Sequence, residues 1–510
     1  MNLAGWEVSA GDHGHITKIL RVTPEHCWPF IRNKYNATKN EQSRRDANLF
    51  LNELIDKTKQ FNFRLGSDDQ AIKDKALAQT KWSKLAILRA GSEQSAYNAL
   101  LLQIGTFNIP PPQAKTLRGA LGRFMAEKWW RRKLRVVHGR AMEIFAREIG
   151  MVNGRYQIYV SDASLRRRRT QKTAARAMLE LFEMVNEIGE VFPLDELVDK
   201  SISNPAIRRH ELMCRIAGNE QMGKERGMIA DFLTLTVPGR MHSHYGKSGD
   251  AIPGYDGTTT KLAQDELKKI WTRIRSALKR KGLNIHGIRV TEPHKDGTPH
   301  WHLLVFMKKE DRQAILAVFK HYALELDPNE LGAKKHRFTI KEIDYSNGRS
   351  ATGYIAKYIS KNIDGYKLDD KTKNSAERVE AWASTWGIRQ FQFFGNPPVT
   401  IWRELRRLEK SSDPLINQAI QAADSNDWAL YMLIMGGPCA LKNQMPIFLL
   451  MKETNRFNEY EEPIPAIVIG VMSLEDYEIS REHDWNMKLK SADSKKMDAE
   501  GDCGHLEFCQ

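Results

Sequence analysis

The chain has 510 residues, 41% hydrophobic and 28% charged, the balance of an ordinary globular protein of about three domains. That composition excludes a collagen-like, low-complexity or wholly disordered polymer. Lys and Arg number 78 against 63 Asp and Glu, for +15 at pH 7; the last forty residues hold ten acidic and five basic side chains, so the body before them carries +20 and points to a polyanionic partner.

A membrane surface is the weaker form of that partner. The strongest apolar stretches, Trp428–Met435 and Pro446–Met451, fall far short of the roughly 18–20 residues of a spanning helix. The N-terminal MNLAGWEVSAGDHGHITK has no apolar segment behind a basic start, so no signal peptide is expected. Cys27, Cys214, Cys439, Cys503 and Cys509 are odd in number and unpatterned, and read as reduced thiols of a cytoplasmic protein. Cys503 and Cys509 with His505 lack a second ligand pair and read as a polar chain end.

Taken in chain order, residues 1–225 read as a mostly helical basic region with a DNA-binding role expected. Its one strand-like stretch is Tyr156–Val160. Thr116–Ile149 mixes apolar and basic positions at helical spacing. Arg166–Arg169 opens another helical stretch, Thr170–Ile188, and is either a solvated helix start or a grip for phosphates.

From about residue 226 the texture changes. Asp231–Val237 reads as a strand closed by Pro238-Gly239, and Lys261–Lys281 as a helix capped by Thr258–Thr260. Ile285–Glu292 and Pro299–Met307 read as a hairpin around Asp296-Gly297. Glu310–Leu326 follows as a helix, Arg337–Ile343 as a strand and Ser350–Ile363 as a helix ended by Asp364-Gly365. The first six elements fit a split βαβ, ferredoxin-like plan, an antiparallel sheet with helices on one face. An extended Ile388–Phe393 and a basic helical Thr400–Arg407 complete a domain to residue 408. Residues 409–470 have no assigned role, and 471–510 read as an acidic, mobile tail.

The chemistry concentrates in Val290–Phe306, VTEPHKDGTPHWHLLVF. Side chains alternate along a strand, so His300 and His302 share one face and Trp301 takes the other. A five-residue turn His294–Thr298 sets Glu292 opposite His300 and Val290 opposite His302, adding a carboxylate to the imidazole face. Two imidazoles and a carboxylate with open positions suit a catalytic divalent metal. A register slip of one residue removes Glu292 from that face. His242 and His244 form a second His-x-His in a loop, with no carboxylate across a ladder.

In GYIAKYISK, Tyr354 and Tyr358 are four apart and lie on one helical face, with Lys357 on the same flank, Lys361 three after Tyr358, and Ile355 and Ile359 turned elsewhere. A phenol is a poor nucleophile at its ordinary pKa near 10, and becomes useful where a metal polarises the phosphate it attacks and a cation stabilises charge.

FLTLTVP (Phe232–Pro238), TEPHKDGTPHWHLLVF (Thr291–Phe306) and YIAKYISK (Tyr354–Lys361), in that order, resemble the HUH endonuclease superfamily and more closely its two-tyrosine phage initiators, the replication gene A protein family. The resemblance implies an α+β fold: a ferredoxin/RRM-like antiparallel sheet with helices, flanked by the helical N-terminal region and a C-terminal extension. It implies that His300 and His302, with Glu292 as third ligand, hold Mg²⁺ or Mn²⁺ and that Tyr354 and Tyr358 are nucleophiles; Lys357 is the candidate for stabilising phosphate or phenolate charge, the alternative being a plain backbone-phosphate contact. One position departs: Gly239 follows Pro238 where a serine is expected in many members.

The function implied is a site-specific nickase and strand-transferase that starts rolling-circle replication of phage or prophage DNA through a 5′-phosphotyrosine bond. It would work in a bacterial cytoplasm on single-stranded or supercoiled origin DNA. No GxxxxGK[ST] is present, so unwinding falls to a host helicase and extension to a host polymerase. The alternatives are a conjugative relaxase or two-tyrosine transposase with the same chemistry, a non-catalytic DNA-binding protein, and a metal phosphodiesterase that activates water.

Overall fold

The computed structural model of the chain describes residue 6 and residues 10–61, 64–344, 350–363 and 370–490. It divides into two compact units, residues 1–164 with 243–251 and 454–465, and residues 165–242 with 252–453 and 466–510. It is a mixed α/β structure with antiparallel sheets and many helices.

The first unit is built on helices, among them Arg44–Lys59, Asp69–Arg89, Glu93–Gly105, Leu117–Met125 and Glu127–Glu148. Ser43, Asp68, Ser92 and Thr116 each accept the amide three residues on, a cap that stabilises by about 1 kcal/mol. The stretch expected as one helical run from Thr116 is two helices, because Ala126 is extended at φ −97° and ψ 118°. One core gathers Ile16, Ile31, Tyr35, Leu51 and Phe145, another Leu100, Phe124, Trp130 and Leu134. Tyr156–Val160 forms no strand: Tyr159 sits at φ +70°, which breaks a ladder, and the stretch has only an isolated bridge from Val152 to Gln157.

In the second unit, helix α1 (Pro205–Glu225) leads into β1 (Ile229–Leu235), α2 (Thr260–Arg280), β2 (His286–Pro293), β3 (Pro299–Met307), α3 (Arg312–Ala323), β4 (Phe338–Glu342), α4 (Ala351–Ile363), α5 (Asp370–Trp386) and β5 (Phe391–Phe394). The five strands form one sheet in the order β4-β1-β3-β2-β5, every neighbour antiparallel. The strands and α2 to α4 follow the sequence expectations with shifted ends, whereas α5 answers to no element read from the sequence. The expected stop of α4 at Asp364-Gly365 lies outside the described residues.

Alternation along the strands makes two cores. Leu233, Leu235, Trp301, Leu303 and Val305 face α2 and α3 through Leu267, Trp271, Ile274, Ile315 and Phe319. Phe232, Val290, Leu304 and Phe306 face the other way, onto Leu212 and Ile216 of α1 and Ile355 and Ile359 of α4. Helices therefore cover both faces. The one-face expectation holds for α2 and α3 and misses α1 and α4, the latter beyond the six elements considered.

Two further sheets complete this unit. Phe182–Asn186 pairs with Val191–Pro193 and with Trp485–Leu489, so the helix expected to reach Ile188 stops at Leu181. Phe448–Lys452, Ile467–Met472 and Tyr477–Ile479 form the other sheet. The span read as a mobile tail from residue 471 is thus structured as far as Lys490, because its apolar residues pair in sheets. The rest of the tail, with Cys503, His505 and Cys509, lies outside the described residues. Cys27, Cys214 and Cys439 are free thiols, and no described helix is long and apolar enough to cross a membrane.

Candidate active site

The β2–β3 hairpin closes at His294–Thr298. His294 N–H donates to Thr298 O at 2.7 Å, Asp296 accepts from the Thr298 amide, and Gly297 takes φ +80°, which a side chain would strain. The Gly297 carbonyl accepts from Thr260 Oγ1 of α2 at 3.0 Å and Trp382 Nε1 of α5 at 2.9 Å, so the turn is held from two sides. Register follows: Glu292 faces His300 and Val290 faces His302. Trp301, fully buried on the opposite face, donates to Gln264 of α2 and lies under the Arg289 guanidinium.

On the face away from Trp301, ligand atoms of Glu292, His300 and His302 all lie within 4.8 Å of one another. The two Nε2 atoms are 3.0 Å apart, and His302 Nε2 is 3.7 Å from Glu292 Oε2. Two adjacent ligands at about 2.1 Å from one ion stand roughly 3 Å apart, so the donor set fits a small divalent cation. Thr234 Oγ1 lies 3.0 Å from His302 Nδ1; accepting that proton, it leaves Nε2 free to ligate.

The protonation states suit ligands. Burial, then the neighbouring His294, His302 and Lys361, hold the His300 imidazole well below its ordinary pKa and therefore neutral. Burial alone would raise the Glu292 carboxyl; His302, Lys361 and Asn362 outweigh it and leave the carboxyl below its usual range. Lys361 Nζ stands 3.7 Å from Glu292 and Asn362 donates to it.

Helix α4 brings the phenols to this cluster. Its first turn is pinned to α1 by Thr352, whose amide and hydroxyl both donate to Glu220. Ile355 and Ile359 are fully buried against the sheet. The adjoining stripe carries Tyr354 and Tyr358, ring centroids 6.0 Å apart. The Tyr358 ring is 4.7 Å from that of His302, and Phe232 contacts all three rings, at 4.6 Å to Tyr354 and 5.2 Å to Tyr358 and His302. Burial first, then Tyr354 and Glu292, push the Tyr358 phenol above its ordinary pKa.

Lys357 is exposed, its Nζ 5.3 Å from the Tyr354 ring, so the cation beside the carboxylate is Lys361 rather than Lys357. The sequence reading gave no role to Asn362, Thr234, Phe232 or Lys341. Asn362 continues the four-residue stripe from Tyr354 through Tyr358, and Thr234 shares strand parity with Phe232, so both carried a readable signal.

His242 lies 3.4 Å from Asp296 and packs edge-on to His294, whose ring in turn lies 4.1 Å from His300. His244 belongs to the helical unit, where Nδ1 lies 3.0 Å from Ser243 Oγ. The arginine block meets α5 instead of standing free: Arg168 pairs with Glu380 at 2.8 Å, Arg169 with Glu377, and Lys172 with Glu380. Gly239 donates its amide to Glu330, and a Cβ at 239 would need that carboxylate to shift.

The profile of the bacteriophage replication gene A protein family matches residues 41–366. The replication protein of Haemophilus phage HP1 is 39% identical over 399 residues, covering 75% of this chain and 50% of that protein. The probable replication protein P12 of Pseudoalteromonas phage PM2 is 32% identical over 94% of this chain and 82% of its own length. A probable replication endonuclease from a prophage-like region of Salmonella typhi is 35% identical over 64% of this chain and 43% of its own. The chain thus spans about half the length of the HP1 protein and less of the Salmonella one. No solved structure matches.

Proposed function

The chain belongs to the bacteriophage replication gene A protein family, and from that premise we propose that it is a site-specific single-strand DNA endonuclease that starts rolling-circle replication. The observation that carries this reading is the Tyr358 ring lying 4.7 Å from His302, on the face where His300 and Glu292 converge. The sheet order, with the first four strands as 4-1-3-2 and α2 and α3 on one face, supports a ferredoxin-like HUH domain.

Glu292, His300 and His302 would hold Mg²⁺ or Mn²⁺. A bound divalent cation polarises a phosphate oxygen and favours ionisation of a nearby phenol. Tyr354 or Tyr358 attacks phosphorus through its phenolic oxygen, the bond to the 3′-oxygen breaks, and a 5′-phosphotyrosine and a free 3′-hydroxyl result. That linkage keeps the energy of the cleaved bond, so rejoining needs no nucleotide. Two phenols on one helix allow one to cut the regenerated origin while the other holds the old 5′ end. A host polymerase extends the 3′-hydroxyl and a host helicase opens the duplex in the bacterial cytoplasm. The helical N-terminal region is read as a further DNA-binding part.

The test incubates the protein and Mg²⁺ with 3′-labelled single-stranded fragments tiled across its own replicon, followed by a denaturing gel. A slow-migrating adduct that disappears in Tyr354→Phe/Tyr358→Phe supports the reading. Cleavage that leaves free 5′-phosphates and no adduct overturns it in favour of a water-activating phosphodiesterase.

A further inference from the structure

Strand β4 places Lys341 directly opposite Phe232, on the sheet face that carries Thr234 and His302. From there its Nζ reaches 4.4 Å from the centre of the Tyr354 ring, closer than Lys357 at 5.3 Å. Tyr354 thus has two lysines near its ring, one from the sheet and one from its own helix. Tyr358, one helical turn on, meets the His302 imidazole and the Glu292 side of the site, and none of the described cation–ring contacts involves it.

We propose that Lys341 is a positioning and charge-stabilising residue for the step carried by Tyr354, and not for the step carried by Tyr358. The proposal rests on the nicking reading above. When Tyr354 attacks, its oxygen bonds to phosphorus and its proton passes to water, while the 3′-oxygen leaves and takes a proton from water. Negative charge builds on the phenol oxygen as its proton leaves and on the non-bridging oxygens as phosphorus changes partners. An ammonium over the ring face interacts more strongly with phenolate than with phenol, since the ring then shares a full negative charge. A long exposed side chain in this place also lies within reach of an incoming phosphate. In sequence, Lys341 is one polar residue of an alternating FTIKE strand, and only its pairing with Phe232 brings it to the phenol.

Single-turnover adduct formation with saturating single-stranded origin DNA separates the two tyrosines. Tyr358→Phe leaves only Tyr354, and Tyr354→Phe only Tyr358. Lys341→Met should slow the Tyr354 adduct roughly three- to ten-fold more than the Tyr358 adduct. It should also move the pH at which the Tyr354 rate rises upward, and Lys341→Arg should restore most of the rate. Equal slowing in both backgrounds, or none in either, overturns the proposal: the first marks Lys341 as a general DNA or folding contact, the second as a bystander. Absence of any adduct in both backgrounds with Lys341 intact overturns the nicking reading itself, and the proposal with it.

Discussion

Asn362 donates its side-chain amide to Glu292 Oε1 and to the carbonyl of Tyr358, each at 2.5 Å. One side chain thereby ties a candidate metal-binding carboxylate to the helix that carries the phenols. Partners of this kind orient a ligand, and removing one typically weakens metal binding about 10–100-fold. Asn362→Ala should lower Mn²⁺ affinity by that factor in titration calorimetry while the thermal melt of the metal-free protein changes little. Unchanged affinity would show that Glu292 is held without Asn362 or does not bind metal.

Loss of an imidazole should separate chemistry from DNA binding. His300→Ala and His302→Ala are each expected to reduce adduct formation by at least about a hundred-fold, because the donor set falls from three to two. Salt-dependent binding to single-stranded DNA should persist, since phosphate contacts supply most of such affinity. A gel-shift titration run beside the nicking assay checks both, and joint loss would identify the pair as a folding site.

Acid should destabilise the second unit through His286. Burial and the nearby Arg226 lower its imidazole to about 3, and its Nδ1 is 2.8 Å from Asn219 Oδ1. The unfolded chain takes up this proton below about pH 6.5 and the folded one only near pH 3. Stability present above pH 6.5 is therefore lost as pH falls between these values, by roughly 2–3 kcal/mol at pH 4.5. His294, lowered to about 4 mainly by burial, acts in the same direction. Denaturant unfolding at pH 7 and 4.5 should show a smaller drop for His286→Gln than for wild type; an equal drop would mean that His286 protonates without unfolding.

Asp231 on β1 is fully buried and paired with Arg312 at the start of α3, at 2.9 and 3.1 Å. Truncation to Ala leaves the guanidinium without that partner at the edge of the core. A loss of about 2–4 kcal/mol is expected, read as a lower guanidinium midpoint with unchanged slope. Arg312 also lies 3.3 Å from the exposed Glu342, and Glu342→Ala should cost well under 1 kcal/mol.

The hairpin register was legible because it needs only two adjacent strands and the turn between them, with Asp296-Gly297 marking the bend. The Tyr354–Tyr358 stripe was legible because helical spacing is local. What joins them was not: Phe232 and Lys341 reach the site through a pairing between separate strands. Leu181-Phe182-Glu183-Met184 reads as continuing helix, since Leu, Glu and Met favour one. Its pairing with Val191–Pro193 and with Trp485–Leu489 makes that stretch a strand. The arginine block likewise read as either a solvated helix start or a phosphate grip because its partners, Glu377 and Glu380, lie some two hundred residues downstream.

The pairing of Phe182–Asn186 with Trp485–Leu489 has a consequence for biosynthesis. Those segments are separated by about 300 residues, so the earlier one leaves the ribosome long before its mate exists. At 5–20 residues per second the interval is roughly 15–60 s. Until then the nascent polypeptide displays an open ribbon with Phe192 and Val191 on its short hairpin, a surface that a chaperone would engage. Completion of this region is in that sense late, however early the histidine–tyrosine cluster takes shape.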